Sequence, residues 1–216
     1  MHRVSSSSMF MFDGEEPEVK RTEEPGRDGM CFSVKLRKGE AYRFALVGAV
    51  CSTQDFKDPV NESKRLTTFA YKSSIDYLLD NHRAAWAELW KGDVIIEGDP
   101  ESQTDIRHAL YQLYSITRDN CPVGIAPMGL SSSEGYNGHY FWDTELWMYP
   151  PILLMNPEAG RSLMDYRALC LPQARQNALN HGYKGAMYPW EADTSGEECT
   201  PVWALTGTYE HHITAD

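Results

Sequence analysis

The chain has 216 residues, 42% of them apolar, with 31 acidic against 20 basic side chains and a formal net charge of −11. That length suits one large domain or two small ones. The negative balance opposes non-specific attachment to phosphate backbones or anionic bilayers, so neither nucleic acid nor membrane is an expected partner.

Five cysteines (Cys31, Cys51, Cys121, Cys170, Cys199) lie far apart without a CxxC pair. Buried or free thiols are the expected reading, rather than a zinc site or a disulfide framework. The opening stretch MHRVSSSSMFMFDGEEPEVK turns acidic before any apolar run of signal-peptide length, and no later segment nears the roughly 18 apolar residues of a membrane span. As it stands the chain is expected to be soluble and cytoplasmic, and a secretion signal upstream of Met1 is compatible with that expectation. SSSS at 5 to 8 reads as a low-complexity tail.

Residues 13 to 29, rich in charge, Gly and Pro, read as an exposed loop. MCFSVKLRKGEAYRFALVGAVCS then alternates apolar and polar residues on both sides of RKGE, which predicts a β-hairpin from Met30 to Ser52. From Asn61 the period becomes helical through Leu66, Phe69, Ile75, Leu78, Leu79, His82, Ala85, Trp86 and Leu89. This predicts a long helix broken near Ser73 and ended at Gly92 by a left-handed turn. Pro100 opens a second helix, with Ile106, Leu110, Leu113 and Tyr114 on one face.

NCPVGIAPMGLSSSEGYNGHY is a long connection with four glycines, two prolines and three serines; loops this long within compact domains are often functional. A third helix is predicted over Asp143 to Met155 and a fourth from Pro157 to Asn180, stopped by Gly182. Strands first and helices afterwards suit an array of antiparallel helical hairpins more than a βαβ sheet. The chain stops on HHITAD without a helix-ending signal, which reads as a truncation.

Two loops carry an aromatic ring beside an acid: Trp142–Asp143 and Trp190–Glu191. A sugar site needs an aromatic plate next to acceptors for hydroxyl groups, and both loops supply them. On a helix Asp143 and Glu145 point about 200° apart, so they do not form a joint acid/base pair. Asp143 reads either as an N-cap or first-turn acid serving the helix dipole or as a ligand-binding carboxylate. The two loops read either as lining one end of a helical barrel or as unrelated surface loops. His139, flanked by glycine, reads either as a ligand-binding imidazole or as a structural one satisfied by a backbone carbonyl. Glu210, His211, His212 and Asp216 lack metal-ligand spacing and read as hydrogen-bonding groups at a helix start. No GxSxG anchor, P-loop or GxGxxG stretch is present.

AWAELW (85 to 90), DVIIEGDPESQTDIRHALYQL (93 to 113), IAPMGLSSSEGYNGHYFWDTELWMYP (125 to 150), GYKGAMYPWEADTSGEE (182 to 198) and HHITAD (211 to 216), in that order, resemble family 65 of the glycoside hydrolases and phosphorylases. Its members include kojibiose, maltose and trehalose phosphorylases, acid trehalases and glucosyl-galactosyl-hydroxylysine glucosidases. The resemblance covers residues 30 to 216 and leans toward the hydrolase-like branch.

It implies a β-sandwich remnant followed by an all-α region that forms the N-terminal half of an (α/α)6 barrel. The end of the sandwich would fall at 1 to 60, a helical linker at 61 to 100 and the first barrel helices at 101 to 216. It also implies inverting chemistry on α-glucosides, a carbohydrate substrate, a homodimer of the full-length protein, and no cofactor beyond inorganic phosphate as co-substrate in a phosphorylase.

By this resemblance Trp142 and Asp143 hold the non-reducing glucose, and Trp190 and Glu191 lie near the cleaved bond and the leaving sugar. Arg107, Gln103 and His139 are further substrate-binding candidates. The family's general acid, a Glu on a later barrel loop, has no counterpart in this sequence, so no catalytic residue is assigned. A carbohydrate-binding or structural fragment without chemistry is the rival expectation.

Overall fold

The computed structural model describes residues 3–121, 123–129, 135–204 and 212–215. They fall into two compact units, Met1–Trp86 and Ala87–Asp216. Small antiparallel sheets come first and helices follow.

In the first unit β1 (Val4–Phe12) pairs antiparallel with β4 (Phe44–Ser52), from Val4 opposite Ser52 to Phe12 opposite Phe44. β2 (Lys20–Glu24) pairs with β3 (Arg27–Cys31) around Pro25–Gly26. The strand pairing therefore departs from the expected Met30–Ser52 hairpin. The serines read as a tail lie in β1, one of the two strands of the main sheet, and the charged loop of 13 to 29 carries a hairpin of its own.

Serines fit this strand because its pleat turns Ser5 and Ser7 toward α1 (Pro59–Lys72), where small hydroxyls bond across a close approach. Ser5 Oγ lies 3.0 Å from Ser63 Oγ, and Thr67 donates to the Ser7 carbonyl at 3.0 Å. Phe10, Phe12, Phe32 and Phe44 meet edge-on nearby, with Phe32 4.9 to 5.0 Å from the other three rings. That cluster draws 32 to 43 across the sheet end without making it a strand. The next helix, α2 (Ile75–Leu89), starts after Ser73, so the expected break is present.

In the second unit α3 (Pro100–Ile116) begins at Asp99, whose carboxylate accepts from the amides of Glu101 and Ser102. Such a cap is worth about 1 kcal/mol. Gly92 is outside the left-handed region, contrary to expectation. A side chain there would come within 2.6 Å of the Met155 carbonyl, and the Gly92 carbonyl accepts from the Tyr114 hydroxyl at 2.6 Å. Gly92 is needed for close packing rather than for a turn.

The predicted third helix is a π-helical turn, Thr144–Met148, running into α4 (Tyr149–Met155). Pro150 and Pro151 lack the N–H groups that a regular α-helix would use at this point, which favours the altered register. α5 (Pro157–Asn180) has the predicted bounds, with Asn156 as its cap. It buries Ala159, Leu163, Tyr166, Cys170, Ala174 and Ala178 along one stripe. A short α6 (His212–Ala215) follows.

Among the described residues no helix is long and apolar enough to cross a membrane. Glu210, His211 and Asp216, named above with His212, lie outside the described residues.

Candidate functional site

The two aromatic-plus-acid loops are joined by their main chains. Tyr140 N–H donates to the Ala192 carbonyl and Ala192 N–H to the Tyr140 carbonyl, both at 2.9 Å. Ala192 also bridges Glu198 on its other side, and Cys199 N–H donates to the Glu191 carbonyl at 2.9 Å. The loop after α5 is thus folded back on itself and stitched to the loop before the π-turn.

Tyr140, Tyr166, Cys170 and Ala192 form one buried cluster with Tyr188 packed against it. The Tyr166 hydroxyl donates to the Asp193 carbonyl at 2.6 Å. Burial raises the Tyr166 phenol far above the ordinary tyrosine value, so it stays a donor.

On this frame His139 Nδ1–H donates to Glu191 Oε1 at 2.6 Å. The Glu191 side chain is 5% exposed and that of His139 28%. His139 therefore meets a carboxylate rather than a backbone carbonyl. The ring of Phe141 stands edge-on to Trp190 at 5.1 Å, and Tyr136 packs edge-on to Phe141 at 4.8 Å. Tyr136 and Asn137 both lie in the left-handed region, with φ of 52° and 53°. Two consecutive non-glycine residues there are unusual, since each costs about 1 kcal/mol or more, and such conformations cluster at binding sites.

Trp142 and Asp143 are half-buried. The Trp142 ring lies 6.2 Å from that of Trp147. Asp143 has right-handed helical backbone angles and makes no side-chain cap bond. Of the two readings of Asp143, the side-chain capping bond is absent, and its carboxylate stands at the start of the π-turn without bonding the helix-end amides. Glu145 points elsewhere: its carboxylate is held by buried Arg167 on α5, through Nε at 2.5 Å and Nη2 at 3.2 Å. Thr144 donates to the Ile125 carbonyl at 3.1 Å and so ties the π-turn to the preceding connection.

The remaining candidates sit apart from this pair of loops. Arg107 on α3 is bound by Asp93, with Nη2 2.6 Å from Oδ2, and this contact pulls the Asp93 carboxyl below its ordinary range. Gln103 accepts from Ile96 N–H at 2.8 Å and donates to the Val94 carbonyl at 2.9 Å, which occupies both ends of its amide with backbone. Among the described residues no three His, Cys, Asp or Glu side chains gather as a ligand set for a metal ion.

Residue spacing marks Tyr188 with Trp190 and Glu191 as one aromatic-plus-acid loop, but it does not reach Arg167 or Tyr166 on α5. Their one sequence signal was a charged residue on the otherwise buried stripe of α5.

Small antiparallel sheets are followed by helices, and two aromatic-acid loops are joined by main-chain bonds. The pattern that defines the glycosyl hydrolase family 65 central catalytic domain matches residues 107–216, and the chain belongs to that family. It is 46% identical over 218 residues to kojibiose hydrolase of Flavobacterium johnsoniae, covering 99% of this chain and 32% of that protein. It is 49% identical over 186 residues to kojibiose hydrolase of Mucilaginibacter mallensis, covering 86% of this chain and 27% of that protein. The chain thus spans about a third of the length of these curated relatives. A solved structure assigned as a kojibiose phosphorylase from the human microbiome shares the fold, with a TM-score of 0.72 and 21% identity over 95% of this chain and 29% of that one.

Proposed function

We propose that the chain supplies the glucose-binding part of an inverting family 65 enzyme acting on α-glucosides. The first 60 residues serve as the end of its β-sandwich, 61 to 100 as the linker and 101 to 216 as the opening helices of an (α/α)6 barrel. One observation carries the reading: reciprocal main-chain bonds between Tyr140 and Ala192 draw Trp142–Asp143 and Trp190–Glu191 onto one frame.

In this reading Trp142 gives the glucose ring an apolar face. Asp143, released from helix capping, accepts from two sugar hydroxyls. Trp190 and Glu191 bound the leaving sugar, and His139 fixes the rotamer of Glu191. Arg107, with its guanidinium oriented by Asp93, is a further substrate-binding candidate.

Inversion needs an acid on one face of the sugar and water or phosphate on the other. No residue of this sequence matches the family's acid, so these residues bind and orient while proton delivery lies outside their role. Two hydrolases of kojibiose at 46% and 49% identity favour kojibiose as substrate and water as the acceptor. Inorganic phosphate is the co-substrate in a phosphorylase.

Titration of the 216-residue chain with glucose and with kojibiose, followed by calorimetry and tryptophan fluorescence, tests the reading. Saturable binding that falls at least tenfold in Asp143→Asn and Trp142→Ala is expected, about the loss of one charged hydrogen bond or one stacked ring. Binding that is absent from the folded chain, or unchanged in both variants, overturns it. Incubation with kojibiose, with and without phosphate, is expected to release no glucose above background; measurable turnover overturns the absence of an acid.

A further inference from the structure

One helical turn of α5, Tyr166 to Cys170, packs against both loops, and at its centre is a buried charge with an unusual set of partners. Arg167 is 9% exposed. Its Nε and Nη2 hold both oxygens of Glu145, and Nη2 also donates to the Phe141 carbonyl at 3.2 Å. Phe141 directly precedes Trp142–Asp143 and Glu145 follows them by two residues, so the guanidinium grips that pair from both sides.

The same guanidinium carbon lies 5.9 Å from the centre of the Tyr188 ring and 5.1 Å from that of Tyr166. The Tyr188 hydroxyl donates back to the Arg167 carbonyl at 2.9 Å. Tyr188 stands two residues before Trp190. The neighbouring Tyr166 binds the Asp193 carbonyl, two residues after Glu191.

Stability alone does not account for this arrangement. Among the described residues Arg167 Nη1 is buried without a hydrogen-bond partner, and a buried ion pair is frequently no better than a well-packed apolar pair in its place. What an apolar pair lacks is direction. A planar guanidinium fixes a carboxylate, a carbonyl and an aromatic face at set angles to one another.

We infer that Arg167 is the positioning residue that sets Trp142–Asp143 against Trp190–Glu191. The inference rests on reading those four residues as the sugar subsite, and its consequence for the frame can be measured without sugar.

The decisive variant is Arg167→Met combined with Glu145→Leu, because Arg167→Met alone strands the Glu145 carboxylate. The double variant is expected to unfold at or above the parent's midpoint. Its affinity for glucose and kojibiose is expected to fall about tenfold to a hundredfold, as misplacement of binding groups does. Hydrogen exchange at the Tyr140 and Ala192 amides is expected to speed up about tenfold or more as the loop pairing opens more readily.

Parent-like affinity and protection at a restored midpoint would show a filler residue and overturn the inference. If the double variant does not fold, Arg167→Lys decides. It keeps the charge opposite Glu145 but cannot also hold the Phe141 carbonyl in plane, so faster exchange at the two amides supports the role and unchanged exchange overturns it. A parent chain that binds no sugar while the exchange result holds removes the subsite reading and leaves Arg167 as the residue that joins the loops.

Discussion

His139 and Glu191, 52 positions apart in sequence, meet through Nδ1 and Oε1 at 2.6 Å. The bond runs beside the main-chain pairing of Tyr140 with Ala192, so a side-chain contact and a backbone contact close the same gap. With its side chain 5% exposed, Glu191 has little access to water as a substitute partner.

Removing the imidazole therefore strands a buried acceptor. His139→Ala is expected to lose about 1–3 kcal/mol of stability, while Glu191→Gln, which keeps an oxygen to accept from Nδ1–H, loses under about 1 kcal/mol. Urea unfolding measures both. If Glu191 bounds the leaving sugar as proposed, sugar titration should separate them the other way, with Glu191→Gln weakening binding despite its intact fold. Equal midpoints for His139→Ala and the parent would mean that the pairing contributes nothing.

Gly196 is required on two counts. Its φ is +84°, and a side chain there would lie 2.7 Å from Cys170 Cβ and 3.0 Å from Sγ. Gly196→Ala is expected to cost about 1–3 kcal/mol, from backbone strain and overpacking together. Pairing it with Cys170→Gly separates the two, because the deletion clears the steric share and leaves the strain. A double-mutant cycle with no coupling between the sites would refute the contact.

The helices were legible because their signals are local. Pro157, Asn156 and Gly182 mark the ends of α5 in the letters themselves, and the interruption at Ser73 needs only the loss of period. The strand pairing was not. β4 reads equally well beside the residues after Met30 or beside β1, and what decides is the fit of Ser5 and Ser7 under α1 together with the Phe32 cluster, neither of which has a period.

At the candidate site, spacing identified two similar loops and the family resemblance supplied their roles. Their stitching through Tyr140 and Ala192 could not be read from spacing, since isolated backbone bridges depend on no side chain. Arg167 was hidden for the opposite reason: an arginine within a helix ordinarily reads as solvated, and only its burial against Glu145 shows otherwise.

Gln103 works as a clamp on an extended segment. Its oxygen accepts from Ile96 N–H and its nitrogen donates to the Val94 carbonyl, so both faces of the amide are needed at once. Gln103→Ala is expected to cost about 1–3 kcal/mol, with exchange at the Ile96 amide accelerated. Gln103→Glu should fare no better, because it retains the acceptor but sets a carboxylate against the Val94 carbonyl. Full stability of the Glu variant would show that only the Ile96 bond matters.

Asp193 gives the loop after α5 a dependence on pH whose sign follows from its surroundings. Burial raises its carboxyl pKa, but bonds from the Ser195 hydroxyl and from the amides of Ser195, Glu197 and Gly196 outweigh that and hold it below its ordinary value of 3.8. Both Ser195 bonds are 2.7 Å long. In the unfolded chain the carboxyl takes up its proton at the ordinary value, before the folded chain does. The stabilising contribution is therefore complete above that value and is lost as pH falls through the folded one. Asp193→Asn keeps an acceptor for the amides and cannot titrate. The gap between the urea midpoints of the parent and Asp193→Asn should hold constant from neutral pH down to about pH 5 and shrink below it, within roughly a unit of the ordinary carboxylate value. Since the Asp193 carbonyl is also the acceptor for Tyr166, protection of the Ala192 amide, taken relative to the intrinsic exchange rate at each pH, should fall over the same acid range in the parent and hold steady in the variant. A gap that widens on acidification would mean that the carboxyl is raised by burial instead of lowered by its bonds.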